Sequence, residues 1–251
     1  DYNNGCKQQI FLLFINEDGF SVPINGLIWM GTQASMQQQI AQKLDAGYTS
    51  IKLKIGAIDF ETELALIKYI RKQFPEKEVE VRLDANGAFN PLEAIEKLNK
   101  LAEFNISYIE QPIMAGQWQE MAKLVEKSPI KIALDEELIG IITEEKQTAL
   151  LQTIQPDLLV LKPALIGGFD ACTAWKKKIK AIHGDWVITS ALESNIGLNA
   201  IAQYAALEHC NYAQGLGTGQ LYTNNIPSPY TVDAKGLHYH TNKSWNFSIL
   251  Q

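Results

Sequence analysis

No stretch of this sequence approaches the roughly 18 consecutive apolar residues that a membrane-spanning helix needs. The longest apolar run, Ile10 to Ile15, has only the length of a strand. Cysteine is scarce. Cys6, Cys172 and Cys210 are an odd set without Cys-x-x-Cys spacing, which argues against a disulfide framework and a zinc site. The N-terminus shows no secretory signal pattern, so a reducing cytoplasm is the expected compartment. The Asn-x-Ser triplets at Asn105, Asn242 and Asn246 then read as chance matches. Histidine is also sparse: His183, His209, His238 and His240 fall at helix ends or in the tail, which removes a His-ligated metal and a His base. Positive charge is in deficit, with a formal net charge of −6, so no basic face exists to neutralise nucleic-acid phosphates. The one cationic cluster, Lys176-Lys177-Lys178-Ile179-Lys180, lies in a helical pattern and reads as a solvated helix surface. There is no Gly-x-Ser-x-Gly elbow and no Walker phosphate loop.

What remains is a chain of 251 residues, 46% of them hydrophobic, long enough for one large core. From residue 26 onward a single unit recurs: a short apolar run, a turn, then an amphipathic stretch. Strands are predicted over Gly26–Met30, Ser50–Ile55, Val79–Asp84, Tyr108–Gln111, Lys131–Asp135, Leu158–Lys162, Trp186–Ser190 and Tyr212–Gly217. Helical patterns fill the gaps over Met36–Ala46, Glu61–Phe74, Pro91–Phe104, Trp118–Lys127, Glu144–Ile154, Phe169–His183 and Leu198–His209. Asn90 before Pro91 reads as a cap followed by proline at the first helical position, and Gly47 and Gly184 stand where helices should stop. Eight strands with seven intervening helices predict an α/β fold, a TIM-like (β/α)7β barrel rather than an open doubly wound sheet. The ends break the rhythm. Residues 1–25 suggest a hairpin, Gln9–Asn16 and Phe20–Ile24 about a turn at Asp18-Gly19, and residues 220–251 are irregular. The expected division is 1–25 as a leading segment, 26–219 as the barrel, and 220–251 as a tail packing beside it.

The chemistry lies in where the charges fall. In the second barrel strand, Ile51-Lys52-Leu53-Lys54-Ile55, period-2 alternation puts both lysines on one face. With helices covering the outside, that face is the barrel interior. Asp84, Glu110 and Asp135 end the next three strands, 26 and 25 residues apart. The C-terminal ends of barrel strands form the active face. Three neighbouring carboxylates repel one another unless a cation holds them, and an all-oxygen set with open positions suits Mg²⁺. Lys162, 27 residues further on, lies on the strand diametrically opposite Lys54. Such a constellation suits removal of a proton beside a carboxylate, with one lysine as base and the other stabilising charge or acting as acid. The loop Gly215-Leu216-Gly217-Thr218-Gly219 permits close backbone approach to a ligand. Gly167-Gly168 reads as a tight turn, with a helix-terminus anion site as the alternative.

These six residues together resemble the enolase superfamily, in its muconate-lactonizing-enzyme-type subgroup. The match extends over about residues 26–219. The resemblance implies Mg²⁺ (or Mn²⁺) at Asp84, Glu110 and Asp135, Lys54 as base, Lys162 opposite, and Lys52 and Asn86 supporting the site. It implies a small-molecule carboxylate substrate. Three stretches, Pro23–Gly31, Ser190–Ser194 and Gly215–Gly219, resemble members that eliminate water after proton removal, which makes Ser190, Glu193, Gly217 and Thr218 candidate substrate contacts. Racemisation of N-acyl amino acids or epimerisation of dipeptides is the alternative. Members that epimerise dipeptides carry Asp-x-Asp where this chain has Gly217-Thr218-Gly219. Family members also carry an N-terminal α+β capping domain that closes over the barrel mouth, most of which is expected to be absent from this sequence. An alternative of another class is a barrel that binds metal or a partner without turnover.

Overall fold

A computed structural model describes residues 19–208 and 212–248. The proposed hairpin partner Gln9–Asn16, Cys6, His209 and Cys210 lie outside the described residues. Ten strands and eight helices are labelled in chain order. The strands are β1 (Phe20–Val22), β2 (Gly26–Ile28), β3 (Ser50–Lys54), β4 (Glu80–Asp84), β5 (Tyr108–Glu110), β6 (Ile132–Leu134), β7 (Leu158–Leu161), β8 (Asp185–Ile188), β9 (Tyr230–Asp233) and β10 (Gly236–Tyr239). The helices are α1 (Gln33–Asp45), α2 (Phe60–Gln73), α3 (Pro91–Ala102), α4 (Trp118–Lys127), α5 (Glu144–Ile154), α6 (Pro163–Ile166), α7 (Gly168–Ala181) and α8 (Asn195–Leu207). Among the described residues no helix is long and apolar enough to cross a membrane.

Strands β2 to β8 form one parallel sheet in sequence order, the arrangement that the alternation of strands and helices predicts. Its two edges are joined by the segment around Gln214 and Gly215. The Gln214 N–H donates to Pro23 O and the Asn25 N–H to Gln214 O on one side; the Gly215 N–H donates to Ile188 O on the other. The predicted eighth strand is therefore reduced to single bridges, Ile24 with Gln214 and Thr189 with Gly215. Two local facts account for this. The Ala213 carbonyl, which a longer ladder would use, accepts from Arg82 Nη1 at 2.5 Å. A Cβ at Gly215 would lie 2.3 Å from Thr189 Oγ1, so the Thr189 side chain occupies the space beside this bridge.

Alternation along the strands sorts the core into two parts. Ile51, Leu53, Val81, Leu83, Ile109, Leu159 and Leu161 point outward and are buried beneath the helices. Tyr108, Ala133, Leu158, Val160 and Val187 form a separate apolar cluster facing the lumen. The other half of the lumen is charged. Arg82, only 1% exposed, pairs with Glu80 at 2.8 Å and lies over the Tyr108 ring. Burial would raise the Glu80 carboxyl pKa, but the Arg82 charge and the hydrogen bonds from Arg82, Ser107 and Ser50 outweigh it and hold the group below its ordinary value. A depressed carboxylate pKa contributes stability above the ordinary carboxylate range and loses it as pH falls through that range. Glu80→Gln should thus be most destabilising near neutral pH, with the gap to the parent closing in acid. Urea midpoints measured across pH check this; a gap independent of pH refutes it.

Helix boundaries follow local chemistry. Asn90 Oδ1 accepts the Leu92 N–H with Pro91 at the first helical position, as the sequence predicts for α3. Helix α1 begins three residues before the predicted Met36 because Thr32 Oγ1 accepts the Ser35 N–H. Gly47 takes a left-handed φ of 89° just past its end. The predicted single helix after β7 is preceded by the short α6, and the turn at Gly167-Gly168 separates the two, both glycines having positive φ. The reading of the lysine cluster as wholly solvated needs correction. Lys176 falls on the inward stripe with Cys172, Trp175 and Ile179, pairs with Glu208, and lies over the rings of Trp186 and Tyr204. Lys177 and Lys180 are exposed. Outside the barrel, β1, β10 and β9 form an antiparallel sheet, so the segments flanking the barrel pair with one another.

Candidate active site

The inward face of β3 carries Lys52 and Lys54 into the lumen, as the alternation predicts, and the register places Lys54 beside Asp84 and Asp84 beside Glu110. Lys54 Nζ donates to Asp84 Oδ2 at 2.6 Å and to Asn86 Oδ1 at 2.8 Å. Lys52 Nζ lies deeper, 2.8 Å from Glu110 Oε2 and 3.1 Å from Asp84 Oδ2. Across the mouth, Lys162 pairs with Asp135. Three carboxylates and three ammonium groups thus interlock in one partly dry volume. Asp84, Glu110 and Asp135 are at most 2% exposed.

The electrostatics are uneven. Burial opposes ionisation of Asp84, yet Lys52 and Lys54 outweigh it and hold that carboxyl well below its ordinary range. Glu110 goes the other way. Its burial and the nearby negative charges of Asp84 and Asp135 push its pKa well up, against the attraction of Lys52 and Lys162. For Lys52 and Lys162 burial favours the neutral amine, but the adjoining carboxylates prevail and keep both protonated.

A cleft of about 220 Å³ opens above these groups. Lys52, Lys54, Asp84, Lys162, Ser190, Gly217 and Thr218 all line it, so most of the residues selected from the sequence are brought together. Glu110 and Asp135 sit beneath its wall. Asn86 bridges from Lys54 to Glu136 Oε1, to which its Nδ2 donates at 2.8 Å. Glu193 Oε2 accepts the Ala191 N–H at 2.7 Å, and its Oε1 is buried without a hydrogen-bond partner. Ser190 Oγ and Thr218 Oγ1 share a hydrogen bond, which fixes both hydroxyls at the rim.

Sequence reasoning misses the apolar walls, Leu27, Trp29, Leu165 and Leu192. Trp29 is the most telling: Lys54 Nζ lies 5.7 Å from its ring centroid, and its backbone N–H and C=O are both held by the Gln39 side chain. An aromatic residue one step beyond a barrel strand was the available signal. Other large apolar residues after the strand ends stay open to solvent, among them Met30, Met114, Ile142 and Leu221, so the mouth carries an apolar rim.

The chain is 50% identical over 233 residues to o-succinylbenzoate synthase of Desulfotalea psychrophila, covering 93% of this chain and 63% of that one. It is 29% identical over 165 residues to L-Ala-D/L-Glu epimerase of Bacillus subtilis, covering 65% and 44%. The crystal structure of MenC from Desulfotalea psychrophila superposes with a TM-score of 0.85 at 48% identity, over 92% of this chain and 64% of that one. Muconate lactonizing enzyme from Pseudomonas putida, at 24% identity and a TM-score of 0.77, shares the fold. The chain therefore spans less than two thirds of the length of these relatives. Residues 35–241 match the model of the enolase C-terminal domain-like family. With that match, and with lysines facing lysine across three strand-end carboxylates, the chain belongs to the enolase C-terminal domain-like family.

Proposed function

We propose that this chain is the catalytic barrel of a Mg²⁺-dependent lyase, an o-succinylbenzoate synthase that dehydrates 2-succinyl-6-hydroxy-2,4-cyclohexadiene-1-carboxylate in menaquinone biosynthesis. The observation that carries the reading is the placement of Lys54 and Lys162 in one cleft, on strands half a barrel apart, above Asp84, Glu110 and Asp135. The 50% identity to the Desulfotalea enzyme supports the choice of substrate.

The donor set fits a divalent cation. Glu110 Oε1 is buried and has no hydrogen-bond partner, and the crowding that raises the Glu110 pKa is what a cation would relieve. In the conformation described, the carboxylates turn to the lysines, and among the described residues no three ligands already surround one point. Asp84, Glu110 and Asp135 would hold Mg²⁺, with Mn²⁺ compatible with the same oxygens. Bound there, the metal would supply positive charge against the substrate carboxylate as negative charge builds on it.

The protein groups then divide the work. Lys54 Nζ, over the Trp29 ring in the cleft, takes the proton from the ring carbon that bears the carboxylate. The electron pair of that C–H bond passes into the ring system, the carbon–oxygen bond to the hydroxyl breaks, and the proton and hydroxide leave overall as one water. Lys162 stabilises the anionic intermediate from the other face. Lys52 remains a fixed counter-charge beside Glu110 and Asp84. Leu27, Trp29, Leu165 and Leu192 offer an apolar wall to the ring, and Ser190 and Thr218 offer hydroxyls to its polar substituents.

Incubating the chain with this substrate and Mg²⁺ should give o-succinylbenzoate, followed by its ultraviolet absorbance, and chelation should stop it. Racemisation of an N-acyl amino acid without dehydration would instead favour the two-base alternative. The apolar rim favours a further reading, a barrel that binds a cation or a partner without turnover. Cation binding without product would select that reading.

A further inference from the structure

Gln111 follows Glu110 at the end of β5, is fully buried, and has a left-handed φ of 40° that residues with a Cβ rarely adopt. From there its side chain reaches along the row of strand ends to the segment after β6. Every hydrogen-bonding position of its amide is filled. Oε1 accepts the N–H of Asp135 at 3.2 Å and of Glu137 at 3.3 Å; Nε2 donates to Ile113 O at 3.0 Å and to Glu137 Oε2 at 3.1 Å. The backbone of Gln111 completes the tie. Its N–H donates to Ala133 O, and its carbonyl accepts the Gly87 N–H at 2.7 Å from the loop that follows Asp84.

One residue thus touches all three carboxylate-bearing ends: the Asp84 loop through its carbonyl, Glu110 through the chain, and Asp135 through its amide oxygen. Glu137, 3% exposed, locks the amide orientation, because its carboxylate can accept from Nε2 and cannot donate to Oε1. The other oxygen of Glu137 accepts the Gly116 N–H at 2.8 Å.

We propose that Gln111 is a positioning residue that sets the spacing of Asp84, Glu110 and Asp135 for a shared divalent cation, with Glu137 as its lock. The proposal rests on the reading of those carboxylates as cation ligands. Partners that orient metal ligands typically contribute about 10–100-fold in metal affinity.

The test uses Mn²⁺ alone, with free ion counted by electron paramagnetic resonance and folding followed by thermal denaturation in chelator. Gln111→Glu replaces the donor facing Glu137 with a second carboxylate, and should weaken Mn²⁺ binding by about 10–100-fold. Adding Glu137→Gln restores a donor between the two side chains and should recover most of that loss. A purely structural role would lower the melting temperature without moving the Mn²⁺ affinity. Unchanged affinity in Gln111→Glu, with the parent binding normally, overturns the proposal. If that variant does not fold, Glu137→Gln alone decides: weaker Mn²⁺ binding supports the lock, and unchanged binding overturns it. If the parent chain itself binds no Mn²⁺, the reading of the carboxylates as ligands fails first, and this proposal goes with it.

Discussion

Lys54→Ala should slow removal of the substrate's α-proton by about 10²–10⁴-fold, the usual contribution of a positioned general base. The fold should survive, because Asp84 keeps its second ammonium partner in Lys52 at 3.1 Å. The loss belongs in kcat, since Lys54 is assigned to bond breaking and the apolar wall of the cleft is untouched. Lys54→Arg sharpens the test. It keeps the positive charge beside Asp84 but supplies a guanidinium that does not deprotonate, so it should be nearly as inactive as the alanine variant. Product formation and loss of deuterium from α-deuterated substrate are the measurements. An arginine variant with near-parental turnover would show that charge, rather than proton transfer, is what position 54 provides.

Lys52→Met should have the largest effect on stability, about 3–5 kcal/mol measured in the presence of a chelator. Lys52 is the shared counter-ion of two carboxylates that have no exposure to water, and removing it leaves buried negative charge uncompensated. Two dependences separate this from a loss of packing. A divalent cation held by the same carboxylates would restore part of the stability, by roughly 2.7 kcal/mol at a hundredfold excess over its dissociation constant. The deficit should also shrink as pH falls. Glu110, already raised by burial and by Asp84 and Asp135, takes up a proton and removes the stranded charge. Chemical denaturation with and without Mg²⁺ at several pH values gives both. A deficit insensitive to metal and to pH would assign Lys52 a packing role only.

The barrel and the charged cluster were legible in the sequence for one reason: alternation within a strand is a local property. Lys52 and Lys54 share a face whatever surrounds them, and helices on the outside decide which face is inward. The spacing of Asp84, Glu110 and Asp135 adds only the length of one βα unit. Other features needed tertiary information. The reduction of the Tyr212–Gly217 strand to bridges depends on Arg82, which crosses the lumen to take the Ala213 carbonyl. Lys176 reads as a surface residue because its partners, Glu208, Trp186 and Tyr204, come from distant segments. Glu193 is a candidate substrate contact in sequence, and the hydrogen bond from the Ala191 N–H to its Oε2 needs the tertiary turn to be seen. Gln111 stayed hidden behind Glu110, since nothing in a glutamine's type announces a left-handed backbone or four satisfied hydrogen bonds.

The bridges at Gln214 and Gly215 bear on the order of events during folding. The Gln214 bridge joins Asn25, near the start of the described chain, to a segment near its end, whereas neighbouring strands from β2 to β8 are joined by a single α-helix or, between β7 and β8, by α6 and α7. Closing so long a loop costs the most chain entropy and returns only a few hydrogen bonds, so this seam forms after the sheet from β2 to β8 has assembled. The cleft straddles the same seam, with Asn25 and Leu27 on one side and Gly215, Gly217 and Thr218 on the other. A newly made chain therefore holds all its charged groups in register before it has a pocket, and a substrate bound across the seam would slow its reopening.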